Sequence, residues 1–302
     1  MSSVPAVTVV TPSYNQAAFI RQTIESVLMQ DYPSIDYIIM DGGSTDGTLD
    51  IIREYAHDRR LRWHSGPDVG QADAIRKGFA LGTGEVLAWL NSDDFYLPGA
   101  ISTAIAAMQT HGSRFVFGDA VLIDEQSRFV RYFVHPPFHP RQFRLRYGFY
   151  QPAAFWSRDL YEQVGGIDPT LQFAMDRDLF WRMSQREPPR HIHAFLCAAR
   201  LHPSAKTAQL FGTVGRAEVL AVERRIGGSL PLYFARYLPN FPRYPAWLQF
   251  ALRALFSLYN TPLRFAYAPS YMIQKVTLGA IWALRSLPHR GRPISPQQGI
   301  SW

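Results

Sequence analysis

The sequence predicts an α/β protein with a mostly parallel, doubly wound sheet flanked by helices, followed by a basic helical extension. Three observations carry this prediction. Four short apolar runs alternate with helical patterns through the first hundred residues; strands separated by helices pair in parallel. Polar residues and glycines close each run, at the strand ends where such sheets collect ligands. Beyond Glu223 the texture changes: Pro, Arg and aromatic residues dominate and acidic residues stop.

The strand runs are Val7–Val10, Tyr37–Met40, Leu61–His64 and Val86–Leu90. Between the first two, Ile20, Ile24, Val27 and Leu28 recur at helical spacing. Leu49, Ile52 and Tyr55 do so before the third, with Ser44 or Thr45 available as the cap. Ala72, Ile75 and Phe79 share a helix face before the fourth, with Gly82 and Gly84 near its end. From Phe115 to His202 short strands and helices mix with a less regular period.

A chain of 302 residues and 47% apolar content can form one large domain or a domain with an appendage. The expected division is one unit over 1–223, in two halves of about 1–112 and about 113–223, with the extension over 224–302. The start lacks a charged segment followed by a long apolar stretch, so no secretory signal is expected. A single cysteine, Cys197, excludes an internal disulfide framework and fits a reducing compartment, so the expected location is cytoplasmic. Net charge is +7, but residues 224–302 alone carry +10 and the remainder −3. That asymmetry points to an anionic partner for the extension.

The strand ends read Thr11-Pro12-Ser13-Tyr14-Asn15, Asp41-Gly42-Gly43-Ser44, Gly66-Pro67-Asp68 and Asn91-Ser92-Asp93-Asp94. Adjacent carboxylates repel, and a bound cation relieves the repulsion. Magnesium or manganese takes one or two carboxylates and leaves positions for phosphate oxygens. Asp93 and Asp94 therefore suit either a metal site or an exposed turn capping the helix that starts near Pro98. Asp41 can accept a hydrogen bond from a base or ribose, or can belong to an ordinary strand-to-helix turn. Asp176 opens a helix whose apolar face is Leu179, Phe180 and Met183; it can cap that helix or act as a base. Asp178 reads as a helix-start charge. In Arg200-Leu201-His202-Pro203-Ser204-Ala205-Lys206 an imidazole and an ammonium offer a metal ligand and a diphosphate partner, or form a plain surface loop. His191 and His193 read as surface groups.

Taken together, the segments VTVVTPSYNQ, IIMDGGSTDGT, GQADAIRKG and WLNSDD, with GGID at Gly165–Asp168 and MDRD at Met175–Asp178, resemble family 2 glycosyltransferases. The resemblance covers roughly residues 5–206, and the order of several motifs makes it specific. It implies a GT-A type, Rossmann-like fold and an inverting, nucleotide-sugar-dependent transfer assisted by Mn2+ or Mg2+. Position by position, it implies that Thr11, Pro12 and Tyr14 cradle the nucleoside and that Asp41 reads the pyrimidine. Asp73 would line the donor, Asp93 and Asp94 would form the metal-and-ribose pair, and Asp176 would act as base. The late loop with His202 and Lys206 would close over metal and donor. Asn91 stands where the family often has an acid, leaving two carboxylates; Arg76 stands where Asn is frequent.

The donor implied is a UDP- or dTDP-sugar and the acceptor a glycan or lipid-linked hydroxyl. In the extension, Tyr244–Pro262 and Tyr271–Leu287 are cationic and aromatic without the length of a membrane span, which suits an anionic membrane surface or packing on the catalytic domain or a second subunit. No nucleic-acid module accompanies the charge. A sugar-phosphate nucleotidyltransferase would carry a glycine-rich basic loop after the first strand, and a dinucleotide-dependent oxidoreductase a GxGxxG; neither is present. A processive synthase would carry membrane spans and a QxxRW segment, also not found. A catalytically inactive membrane-docking scaffold is the non-enzymatic rival. Retention of Asp41, Asp93, Asp94 and Asp176 argues against it.

Overall fold

The structure, a computed structural model, describes residues 4–140, 143 and 149–226. Beyond Ile226 the predicted extension, with its two cationic stretches, lies outside the described residues. All four predicted strands form: β1 (Val7–Ser13), β2 (Ile35–Asp41), β3 (Leu61–Ser65) and β4 (Val86–Trp89). The first three outrun their apolar cores because polar residues continue the ladder. Ser13 pairs with Asp41 and Asp41 with Ser65, so these strand ends lie abreast. The helices between them are α1 (Ile20–Leu28), α2 (Thr48–Glu54) and α3 (Gln71–Leu81).

The cap expected for α2 is not the one used. Gly47, in the left-handed region at φ 92°, takes that place without a side-chain bond. The Ser44 hydroxyl donates instead to Asp41 at 2.5 Å, and the Thr45 N–H donates to Asn15. Both groups are drawn into the loop that faces the strand ends rather than into the helix. Helix α3 lies close on β1, and Gly78 makes that approach possible: a Cβ there would meet Val10 Cγ1 at 2.5 Å. Gly84 is held the same way, its N–H donating to Thr8 Oγ1 at 2.8 Å.

The second half mixes directions. β5 (Phe95–Tyr96), α4 (Ala100–His111), β6 (Phe115–Asp124), β7 (Phe129–Phe133), β8 (Ala154–Ser157), α5 (Arg158–Gln163), α6 (Met175–Arg186) and β9 (Arg190–Leu201) follow in order. The sheet runs β3-β2-β1-β4-β8-β6-β9-β5, with β7 on β6. β1 to β4 are parallel, β8 is antiparallel to both β4 and β6, and β9 is parallel to β6. Helices α1 and α4 pack on one face through Ile20, Ile24, Ile101 and Ile105. Helices α3 and α6 cover the other through Ile75, Phe79, Leu179 and Phe180. Phe180 is wedged against Trp89 at 6.2 Å, Trp156 at 5.5 Å and Phe115 at 5.6 Å between ring centroids. This aromatic contact fixes the start of α6 relative to the end of β4. No described helix is long and apolar enough to cross a membrane.

Candidate active site

The loops after β1 and β2 are sewn together. The Asn15 N–H donates to Ser44 Oγ at 2.7 Å, the Gln16 N–H to Thr48 Oγ1 at 2.8 Å and the Ala17 N–H to Asp46 at 3.0 Å. Asp41 is buried at the centre of this seam. Its carboxylate accepts from the Gly43 and Ser44 N–H groups and from the Ser44 and Ser65 hydroxyls. Thr11 and Pro12 are buried, with the Thr11 hydroxyl on Tyr37 Oη at 3.1 Å, so Thr11 spends its side chain on the sheet. Tyr14 stands 62% exposed. A Cβ on Gly42 would lie 3.0 Å from Asp68 Oδ2 and 3.4 Å from Tyr14 Cδ2. Asp68 and Tyr14 therefore close on Gly42, whose lack of a side chain makes room for both.

The acidic pair splits into two environments. Asp94 is buried and accepts the Arg200 backbone N–H at 2.8 Å, pinning β9 to the loop after β4. Burial, then the neighbouring Asp93 charge, pushes its carboxyl well above the usual range. Asp93 keeps about a fifth of its side chain exposed, and its Oδ2 lies 3.0 Å from His202 Nε2. His202 Nδ1 pairs with Ser204 Oγ at 2.8 Å and the ring packs on Phe19 at 4.7 Å, which fixes its orientation. Neither acid caps α4, whose N-cap is Gly99. Arg200 braces the loop from beneath. Its Nε donates to the Asp93 carbonyl, its NH1 to Ser127 and its NH2 to Gln22.

Asp93 and His202 fit a divalent cation. Adjacent ligands about 2.1 Å from a shared ion stand about 3 Å apart, the separation these two atoms already have. Among the described residues no cluster of three or more acidic, His or Cys side chains surrounds the position, so the remaining ligands must come from elsewhere. Diphosphate oxygens and water are the usual source.

Lys206 opens helix α7 (Lys206–Leu210). Its Nζ donates to Gln71 Oε1 at 2.7 Å, and Gln71 Nε2 donates to Asn91 Oδ1 at 2.7 Å. Burial lowers its pKa to about 8, opposed by the nearby carboxylates of Asp176, Glu218 and Asp68. Lys206 thus lies within the field of Asp176 and is tied by hydrogen bonds to the loop bearing Asp93. Asp176 sits in the first turn of α6, as expected, half-buried, with Oδ1 accepting the Arg177 N–H at 2.7 Å.

One side chain falls differently from its sequence reading, and two gain partners that the sequence did not show. Asp73 is buried with its carboxylate on Lys77 at 2.6 Å and Arg76 at 2.8 Å; these cations, Lys77 foremost, hold it below its ordinary pKa. Arg76, without a role in the sequence, is thereby a partner of Asp73. Asp178 is the helix-start charge expected and is also buried and paired with Arg182 at 2.7 Å. His191 is not a surface group: its side chain is buried and bonds Asp119 at 2.8 Å, while His193 is exposed. Gln71 and Arg200 are the site residues that sequence reasoning passed over. Both lay inside recognised motifs, but only the fold reveals that Gln71 faces Asn91.

Comparison with known proteins agrees with this geometry. The model of glycosyl transferase family 2 matches residues 8–165, more than half of the chain. An uncharacterized glycosyltransferase of Rickettsia typhi is 25% identical over 226 residues, covering 72% of this chain and 70% of that protein. A putative teichuronic acid biosynthesis glycosyltransferase of Bacillus subtilis, TuaG, is 33% identical over 135 residues, covering 44% of this chain and 54% of that one. Among solved structures, S. aureus TarS in complex with UDP-GlcNAc superposes with a TM-score of 0.63 at 16% identity, covering 78% of this chain and 71% of TarS. The mannosyltransferase PcManGT of Pyrobaculum calidifontis, in complex with GDP-Man and Mn2+, gives 0.56 at 21%, covering 95% and 89%. The fold is the expected GT-A architecture, and the chain belongs to glycosyl transferase family 2 and is a glycosyltransferase.

Proposed function

We propose that this glycosyltransferase moves a sugar, with inversion, from a nucleoside diphosphate sugar to a hydroxyl of a glycan or lipid-linked acceptor, and that it depends on Mn2+ or Mg2+. The carrying observation is the hydrogen-bonded run from Lys206 through Gln71 to Asn91, two residues before Asp93 of the Asp93–His202 pair, with the Asp176 carboxylate near enough to act on the Lys206 charge. It supports placing an acceptor base and a diphosphate site on one cleft. The nucleotide sugars bound to TarS and PcManGT, and the Mn2+ in the latter, support the same reading of this chain.

Asp93 and His202 would hold the metal, which when bound supplies positive charge to the departing diphosphate. Tyr14 offers an open aromatic face beside Gly42 for the base, and Asp41 holds the adjoining loop by accepting from Gly43, Ser44 and Ser65. Asp176 accepts the proton that the acceptor hydroxyl loses as its oxygen forms the new glycosidic bond. Attack from the side opposite the leaving group inverts the anomeric carbon, as in inverting glycosidases. Lys206 places its ammonium near the diphosphate and helps to exclude water. Residues 224–302 are read as a peripheral attachment to the cytoplasmic face of a membrane. The teichuronic acid biosynthesis for which TuaG is named supports a cell-surface glycan precursor as the acceptor class.

The test is transfer and donor hydrolysis measured with UDP-, dTDP- and GDP-sugars, each with manganese and with chelator. Metal-dependent release of a nucleoside diphosphate is expected; a scaffold or a nucleotidyltransferase would release none from these donors. Lys206 adds a pH signature. The ammonium is charged below about pH 8 and neutral above it, so donor affinity is highest below pH 8. Above it, affinity falls by up to about tenfold per unit. Calorimetric titration of the donor between pH 7 and 9 measures this, and Lys206→Met flattens the slope.

A further inference from the structure

The helix that carries Asp176 has no cap of its own. Its N-cap position is Ala174, whose side chain bonds nothing, and the N–H groups leading into it would stand open without outside help. They are taken by a residue distant in sequence. Glu218 Oε1 accepts the Gln172 N–H at 2.8 Å, and Oε2 accepts the Phe173 N–H at 2.7 Å and the Ala174 N–H at 3.1 Å. One carboxylate thus gathers three consecutive amides ending two residues before Asp176, where the helix dipole also favours an anion.

Glu218 belongs to helix α8 (Arg216–Arg225), and that helix grips the same segment elsewhere. Glu223 forms a buried ion pair with Arg177, the residue after Asp176, and Arg225 reaches Asp168 at 3.2 Å. Gly215 lets the helix come down on Phe173, where a Cβ would meet the ring at 2.8 Å. The chain runs directly from Lys206 through α7 and a π-helical turn, Phe211–Gly215, into α8. The segment that touches the donor side through Lys206 therefore also sets the start of the acceptor-side helix. Glu218 and Glu223 are the only acids after Glu187, in sequence otherwise basic.

We infer that Glu218 is a positioning residue for the transfer: it fixes the loop 172–174 and through it the direction of the Asp176 carboxylate. This rests on Asp176 being the base. Glu218 is half-buried and its removal exposes amides that water can reach, whereas losing Glu223 would strand the buried Arg177. Glu218 is therefore the side chain to change. A base displaced by about 1 Å can cost on the order of 10²-fold in rate.

The experiment is a double-mutant cycle on the full chain with Glu218→Ala, Asp176→Asn and the pair, reading kcat for transfer, donor Kd and the melting transition. Expected at about pH 6.5, where Lys206 stays charged without Glu218, is a loss in kcat for Glu218→Ala of about 10-fold to 10²-fold with donor Kd unchanged. In the Asp176→Asn background the same change should have no further effect, because residues acting as one unit are not additive. Glu218→Gln, which keeps one acceptor oxygen, should fall between wild type and Glu218→Ala, and it carries the test if the alanine variant does not melt cooperatively. Wild-type kcat in a folded Glu218 variant overturns the inference. So does an effect of equal size with and without Asp176, or a parallel loss of donor affinity. Full transfer by Asp176→Asn alone would instead overturn the base assignment, which keeps the two failures apart.

Discussion

Asp176→Asn is expected to lower the rate of transfer by about 10²-fold to 10⁴-fold, the range that a positioned general base supplies. Donor binding should be spared at about pH 6.5, where Lys206 stays charged without the Asp176 carboxylate, because Asp176 lies on α6 and not in the loops after β1, β2 and β4 proposed to hold the nucleotide. The substitution is nearly isosteric and leaves the amide oxygen free to accept the Arg177 N–H, so the first turn of the helix stays formed. Its consequence is chemical: an amide cannot take the acceptor's proton. Measured kinetically, kcat and kcat/KM for the acceptor fall together while the donor Kd holds, the pattern of an interaction made only in the transition state. A variant turning over at the wild-type rate would remove Asp176 from the chemistry.

The second large effect separates the two acids that adjoin in sequence. Asp93→Asn is expected to lose manganese affinity and to cost about 10²-fold to 10³-fold in turnover, comparable to deleting one stabilising group opposite developing charge. Asp94→Asn is expected to retain manganese affinity. Its amide oxygen still accepts the Arg200 N–H, and the change relieves the crowding of two carboxylates. Titrating Mn2+ into each variant with UDP present reads the difference directly. Equal loss in both would mean that Asp94 also ligates, despite its burial.

Much of the fold was legible because the pattern is local. Val7–Val10 and Tyr37–Met40 are buried runs between helices with clear faces, and both became parallel neighbours. The polar strand ends lie abreast as the alternation of strands and helices implies, and the motif order gave the family. What the residues alone could not separate was Asp93 from Asp94, since their difference lies in contacts with Arg200 and His202, more than a hundred positions away. The cap of α2 was misjudged because Ser44 answers to Asp41 rather than to the helix. His191 alternates like an edge residue, yet Asp119 on the neighbouring strand β6 draws it inward. The role of Glu218 was hidden for the same reason: its partners are backbone amides, which no motif encodes.

The central claim is that a divalent ion between Asp93 and His202 meets the two phosphates of an activated sugar. Anomalous diffraction from crystals grown with Mn2+ and UDP tests it most directly. The predicted result is one manganese peak within bonding distance of Asp93 Oδ2 and His202 Nε2, shared with diphosphate oxygens. Nucleotide bound in the cleft with that corner empty, or manganese held at another group of residues, would contradict it.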